Sequence, residues 1–306
     1  MNTEHTKNEG RLINLITRRW EQLDWQASFP PDGPVVSEAH YLDVPSMNLS
    51  DDKRWRLNRL FACFTCELFI HFERYLVEFL QRNRYQLPNI PAVAIDRFIA
   101  EEQVHTASFF RLLHKLRPDL YDAQSTPKDS MRFLIWSLGD EAAVSFSPIG
   151  SFFLLAWLFE EITLFLPIAL DRQPEQCAPL LHEVMRLHAK EELAHVAIDE
   201  RILANLQKEQ TRFRSARDTI LSLPLLVYAD LRAKQGWRNA VALLSSEITL
   251  SDEQRNRLLH RGPSLSDQLG IASFADKIAK TKVPLAQSLS FVLKLELRRH
   301  TASKHG

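Results

Sequence analysis

The chain has 306 residues, enough for one large domain or two small ones, and its 38 basic residues are matched by 38 acidic ones. That balance speaks against a nucleic-acid surface, and 45% hydrophobic with 25% charged residues describes a globular protein with a sizeable core. Only 8 glycines occur, which disfavours glycine-rich phosphate loops and turn-dense all-β folds.

Residues 8–22 carry a short amphipathic helical pattern, and no secretory signal is evident in this charged, polar N-terminus. A reducing, cytoplasmic setting is therefore expected for the three cysteines, Cys63, Cys66 and Cys177. Residues 23–50 are rich in Pro, Ser, Asp and Asn and read as irregular, with Pro30-Pro-Asp-Gly33 as a turn. Ser50-Asp-Asp-Lys predicts the start of a long helix running to about Arg84. Within it, Cys63-Phe-Thr-Cys66 has no second cysteine pair and reads as buried thiols rather than a redox or zinc motif. A second long helix is predicted from near Pro91 to about Leu116, and a short one within Ser125–Gly139.

Residues 148–170 form a run that is apolar on almost every side. Its length would allow a membrane span, but Glu160-Glu161 stands at its centre, where charge is costly in a bilayer. The centre of a helical bundle suits it better, and no membrane partner is expected. A fourth long helix runs from about Pro174 to Gln210; then Ile220–Tyr228, Trp237–Leu244 and Pro284–Leu297 continue the helical pattern. No stretch alternates as a strand does and no linker divides the chain. The expectation is a single all-α domain over residues 1–306, with a bundle core at about 51–211 and C-terminal helices in 213–300 packed on it.

Chemistry is concentrated in His188-Ala-Lys-Glu-Glu-Leu-Ala-His195. On a helix, His188, Glu192 and His195 share one face with Leu181, Val184 and Met185, so two imidazoles and a carboxylate point into a core. The second predicted helix has its own Glu-x-x-His, Glu102 to His105, interrupting the stripe Ile95, Phe98, Ile99, Thr106 and Phe109. The first offers Glu67 below Leu60, Cys63 and Phe64; the third offers Glu160 or Glu161. Two Glu-x-x-His motifs with a lone Glu on each of two other helices are the ligand set of di-iron and di-manganese carboxylate bundles. Carboxylate oxygen with some imidazole suits hard, redox-active divalent ions, and four buried carboxylates without a cation would be very costly.

With His188 as a seventh candidate one turn before Glu192, the order Glu67, Glu102-x-x-His105, Glu161, His188-x-x-x-Glu192-x-x-His195 resembles the AurF-type di-iron N-oxygenases, which carry an extra histidine ligand within a ferritin-like bundle. The spacings of 35 residues from Glu67 to Glu102 and 27 from Glu161 to His188 suit that family, and the resemblance covers roughly residues 50–205. It favours Glu161 as ligand and leaves Glu160 behind it. It implies two iron ions cycling between Fe2+ and Fe3+, O2 as co-substrate, an external electron donor such as a reductase, and oxidation of an amine to hydroxylamine, nitroso or nitro product in specialised metabolism. A homodimer is compatible with it.

Asp199, one turn after His195, is a candidate to accept a hydrogen bond from a ligand histidine, and His71, one turn after Glu67, a candidate for a supporting or pocket role. Glu101 and Glu191 fall off the ligand faces and read as solvated or capping charges. The apolar approach along Leu60, Cys63 and Phe64 offers no cation for an anionic arylamine, which favours a less anionic arylamine, an aliphatic amine or a carrier-tethered aminoacyl group. A di-iron C-hydroxylase or oxidase, and a non-catalytic ferritin-like iron-binding protein, remain the alternatives.

Overall fold

Ser50 stands at the N-cap of the first long helix, α1 (Asp51–Asn83), and Asp51 and Asp52 fill its first turn. Their charges complement the helix dipole at that end; the Ser50 hydroxyl makes no capping hydrogen bond. The computed structural model describes residues 16–30, 32–36, 47–87, 89–122, 124, 126, 131–164, 170, 174–209 and 212–260. Among these, residues 16–21 form a short helix and the described parts of 23–50 are irregular. Helix α2 (Ala92–Leu116) starts after Pro91 and ends at Arg117, ahead of Pro118. Then follow α3 (Leu138–Phe146), α4 (Ile149–Thr163), a 3-10 turn at Pro174–Gln176, α5 (Pro179–Glu209), α6 (Arg212–Glu247) and α7 (Asp252–His260). No strand occurs among the described residues.

Two elements differ from the sequence reading. Residues 131–137 are not helical, and the short helix begins at Leu138 instead. The backbone N–H groups of Arg132, Phe133 and Leu134 are drawn to the Glu67 carboxylate, which removes them from any helical ladder. Ser137 and Asp140 then form a reciprocal capping box that starts α3. The segments Ile220–Tyr228 and Trp237–Leu244 belong to one helix, α6, which continues through Pro224. Packing of α6 against α1 and α4 outweighs the lost hydrogen bond. The expected helix Pro284–Leu297 lies outside the described residues, as does the start of the 8–22 pattern.

Helices α1, α2, α4 and α5 form the bundle, with α1 beside α2 and α4, and α5 beside α2 and α4. Between α1 and α4, Phe72 stacks on Phe159 with ring centroids 3.8 Å apart, and Phe79 stacks on Phe152 at 3.6 Å. Seven residues separate the two contacts on each helix, two turns in antiparallel register. Helix α6 covers the outer groove of α1 and α4. It comes close at Gly236, where a Cβ would lie 2.7 Å from Cδ2 of Leu134 and 3.2 Å from Cε2 of Phe64. Cys63, Cys66 and Cys177 are buried free thiols. No single described helix is long and apolar enough to cross a membrane; the pair Leu138–Phe146 and Ile149–Glu161, bent by 118°, passes by length and composition alone. Glu160 in that pair is 1% exposed and faces the bundle interior.

Candidate metal centre

Helices α2 and α5 run antiparallel with their Glu-x-x-His motifs side by side. Nδ1 of His195 lies 2.7 Å from Oε1 of Glu102, and Nδ1 of His105 lies 3.3 Å from Oε1 of Glu192. Each motif thus presents its histidine to the other's carboxylate. His188, one turn before Glu192, brings Nε2 to 2.7 Å from Oε1 of Glu192 and 3.4 Å from Oε1 of Glu73. Among the described residues, two groups of potential ligand atoms each lie within 4.8 Å of one another: Glu73, His105, His188 and Glu192, and Glu102, His105, Glu192 and His195. His105 and Glu192 belong to both.

The carboxylate that α1 contributes is Glu73, where Glu67 was expected. Both are buried, but they serve different surroundings. Glu67 accepts hydrogen bonds from the Tyr121 hydroxyl at 2.7 Å and from the N–H groups of Arg132, Phe133 and Leu134 at 2.7, 2.8 and 3.0 Å. Its lone pairs are consumed in shaping the loop before α3. Glu73, six residues further along, faces His188 and accepts from Thr106 Oγ1 on α2, at 2.9 Å.

On α4 it is Glu160, rather than Glu161, that shares its electrostatic surroundings with Glu102, Glu192, His195 and Asp199. Glu161 is 9% exposed against 1% for Glu160, and neither glutamate belongs to the two groups. A signal for both residues lies in the sequence: Phe72-Glu73 and Phe159-Glu160 are the same dipeptide, and the two phenylalanines stack on each other.

Glu101 and Glu191 are also reassigned. They are 3% and 6% exposed, not solvated. Nε2 of His105 lies 2.9 Å from Glu191, and Nε2 of His195 lies 3.0 Å from Glu101. Trp20 Nε1 donates to Glu191 at 3.1 Å and Arg97 Nε to Glu101 at 2.9 Å, anchoring both carboxylates from behind. Each histidine is held at Nε2, which leaves Nδ1 for the interior. The repeated string Glu-Glu-x-x-His, at residues 101–105 and 191–195, carries the whole device. Rings fix the remaining orientations: Phe98 stacks on His195 and Phe69 on His188, with centroids 4.1 and 5.4 Å apart.

Asp199 is fully buried and neither of its oxygens has a hydrogen-bond partner among the described residues; the Nε2 of His195 is taken by Glu101. His71 points away from the cage. Its Nε2 is 3.4 Å from Asp140, and it lines an apolar crevice between α1 and α6.

The electrostatics are those of a site compensated by protons. Burial disfavours charge on His105, yet hydrogen bonds to Glu191 and Glu192 and the nearby Glu102 carry its pKa up to about 10. His195 is raised well above the ordinary range against the same burial, by Glu192 and Glu102, and His188 is raised by Glu192 and Glu73. Burial opposes ionisation of Glu192, but His188 and His195 hold its pKa well below the usual carboxylate value. Burial, then repulsion from Glu192, raises Glu102 to about 7. Burial and neighbouring carboxylates push Glu160 and Asp199 well above the usual range.

These residues fit a divalent metal pair. Glu73 Oε1, Glu102 Oε1, His105 Nδ1, His188 Nε2 and His195 Nδ1 are buried without a well-formed hydrogen bond, and they converge. Such groups are costly unless a cation meets them. The mix of carboxylate and imidazole is that of iron or manganese.

The family model described as p-aminobenzoate N-oxygenase AurF matches residues 22–255. No curated protein and no solved structure matches the chain.

Proposed function

The chain belongs to the AurF family, and from that premise we propose that it is a di-iron N-oxygenase that converts an amine to its hydroxylamine and onward. The observation that carries the reading is the convergence of buried, hydrogen-bond-deficient ligand atoms from three bundle helices, α1, α2 and α5. Glu73, Glu102, His105, Glu160, His188, Glu192 and His195 would hold two iron ions. Glu102 and Glu192 each stand between His105 and His195 and would offer carboxylate oxygen to the ions between the two motifs. When bound, the iron pair supplies the redox chemistry with O2. For the first step the balance is R–NH2 + O2 + 2 e− + 2 H+ → R–NHOH + H2O, so an external donor must supply two electrons.

The chain's own residues do the rest. Glu101 and Glu191 hold the histidine rings in the tautomer that offers Nδ1 inward. Thr106 orients Glu73. Trp20, Phe69 and Phe98 pack against the imidazoles and exclude water from their flanks.

Anaerobic ferrous loading should give about two irons per chain, by the ligand count of such bundles. Exposure to O2 with an arylamine and a reductant should then give a hydroxylamine, identified by mass spectrometry. A ring- or side-chain-hydroxylated product would favour the C-hydroxylase reading, and iron uptake without amine-dependent O2 consumption the iron-binding one. His188→Ala should leave the fold intact and impair metal loading; unaltered loading and amine oxidation would remove His188 from the ligand set.

A further inference from the structure

A crevice opens between α1, α3, α4 and α6, on the face of the α1–α4 pair that lies away from the cage. Its inner wall is the Phe72–Phe159 stack. Each of those rings is followed at once by a carboxylate of the cage, Glu73 on α1 and Glu160 on α4. On the α2–α5 side the cage is closed by the tethers from His105 to Glu191 and from His195 to Glu101. On the α1–α4 side, the stacked Phe72 and Phe159, which both line the crevice, stand next to Glu73 and Glu160 along their helices.

The lining is apolar apart from a few groups, and most of those are already engaged. Asp140, fully buried, accepts from Tyr75, from Tyr228 at 2.8 Å and from Ser137 Oγ at 2.7 Å. Arg232, the one Lys or Arg among the lining residues, places NH2 3.2 Å from Asp140 and also donates to the carbonyl of Ile135. Its charge is neutralised within the wall. His71 turns Nε2 towards Asp140, 3.4 Å away, while its Nδ1 has no hydrogen-bond partner among the described residues; burial lowers its pKa and favours the neutral ring.

Resting on the N-oxygenase reading, we propose that this crevice seats the amine substrate, that it selects uncharged aromatic amines, and that Phe72 and Phe159 are the gate between it and the metals. The aromatic and aliphatic walls suit a ring. An anionic ring substituent would lose its hydration without finding an uncompensated cation, which is strongly unfavourable. His71 is the polar group available to meet the amine, as an acceptor through Nδ1. A turn of one phenylalanine side chain connects the crevice with the cage.

The test compares p-toluidine with p-aminobenzoate, a methyl and a carboxylate at the same ring position. Binding is measured by calorimetric titration of the ferrous protein without O2, and by ligand-observed NMR on the metal-free protein. p-Toluidine should bind at least about tenfold more tightly, a difference of about 1.4 kcal/mol. Ala143→Trp and Ala229→Trp, which fill the crevice from partly exposed positions, should each weaken that binding by about tenfold or more. Both should keep the wild-type melting temperature and iron content. Equal or tighter binding of p-aminobenzoate overturns the specificity, and unchanged p-toluidine binding in both variants overturns the site. If p-toluidine binds in the crevice but is oxidised at carbon, the N-oxygenase reading fails while the site stands. If both filled variants N-oxygenate at the wild-type rate, the site fails while the activity stands.

Discussion

His105 and Glu191 are joined by a contact of 2.9 Å between Nε2 and the carboxylate, and Glu191 is the residue immediately before the cage carboxylate Glu192. The arrangement is repeated by His195 and Glu101, with Glu102 in the place of Glu192. Each helix therefore supplies one carboxylate to the interior and one to the back of the other helix's histidine. The carboxylate behind the ring fixes its tautomer and makes Nδ1 a better donor.

Replacing Glu191 or Glu101 by Gln should lower ferrous affinity by roughly 10- to 100-fold while the bundle stays folded. Competition against a chelator of known affinity measures this. Wild-type affinity in both variants would show that the tether does not tune the ligand.

Glu67 and Glu73 should separate cleanly. Glu67→Gln puts an NH2 group where backbone donors now meet a carboxylate, and should cost roughly 2–4 kcal/mol of stability. It should still bind about two irons. Glu73→Gln should melt near the wild type without metal, yet lose much of the rise in melting temperature that metal confers, since that rise follows affinity. The reverse pattern would restore Glu67 to the ligand set.

Asp140 offers a test in pH. Burial alone would raise its pKa, but His71, Tyr75 and Ser137 hold it well below the usual carboxylate value. A depressed folded-state pKa contributes stability that is complete above the unfolded value, about 3.9, and is lost as pH falls towards the folded one. Asp140→Asn should therefore be less stable than the wild type by roughly 2–4 kcal/mol near neutrality. That gap should narrow below about pH 4. Denaturant titrations across this range read it directly; a gap that persists undiminished into acid would assign the loss to packing instead.

Gly236 lets α6 approach the loop before α3. Gly236→Ala would set its Cβ against Leu134 and Phe64, and should destabilise by about 1–3 kcal/mol, as overpacking of a close contact does. A neutral or stabilising effect in chemical denaturation would mean that Leu134 yields without cost.

From the sequence alone came the helical class, the four bundle helices to within a few residues at most ends, and the pair of Glu-x-x-His motifs. Periodicity and capping act locally, so a one-dimensional string carries them. It also held Glu101, Glu191, Glu73 and Glu160, as the repeated strings Glu-Glu-x-x-His and Phe-Glu. Their roles depend on what stands opposite, and helical period cannot tell a carboxylate aimed at a neighbouring helix's histidine from one aimed at water. Choosing between Glu67 and Glu73 needed the loop at 131–134, whose backbone donors reach Glu67 from more than sixty positions away. That Glu160 is the one beside Glu102, Glu192 and Asp199 depends on the packing of α4 in the bundle, where its register on α1 is marked by two stacked phenylalanine pairs. Residue types and local spacing determine which groups can bind a metal; long-range packing decides which of them meet.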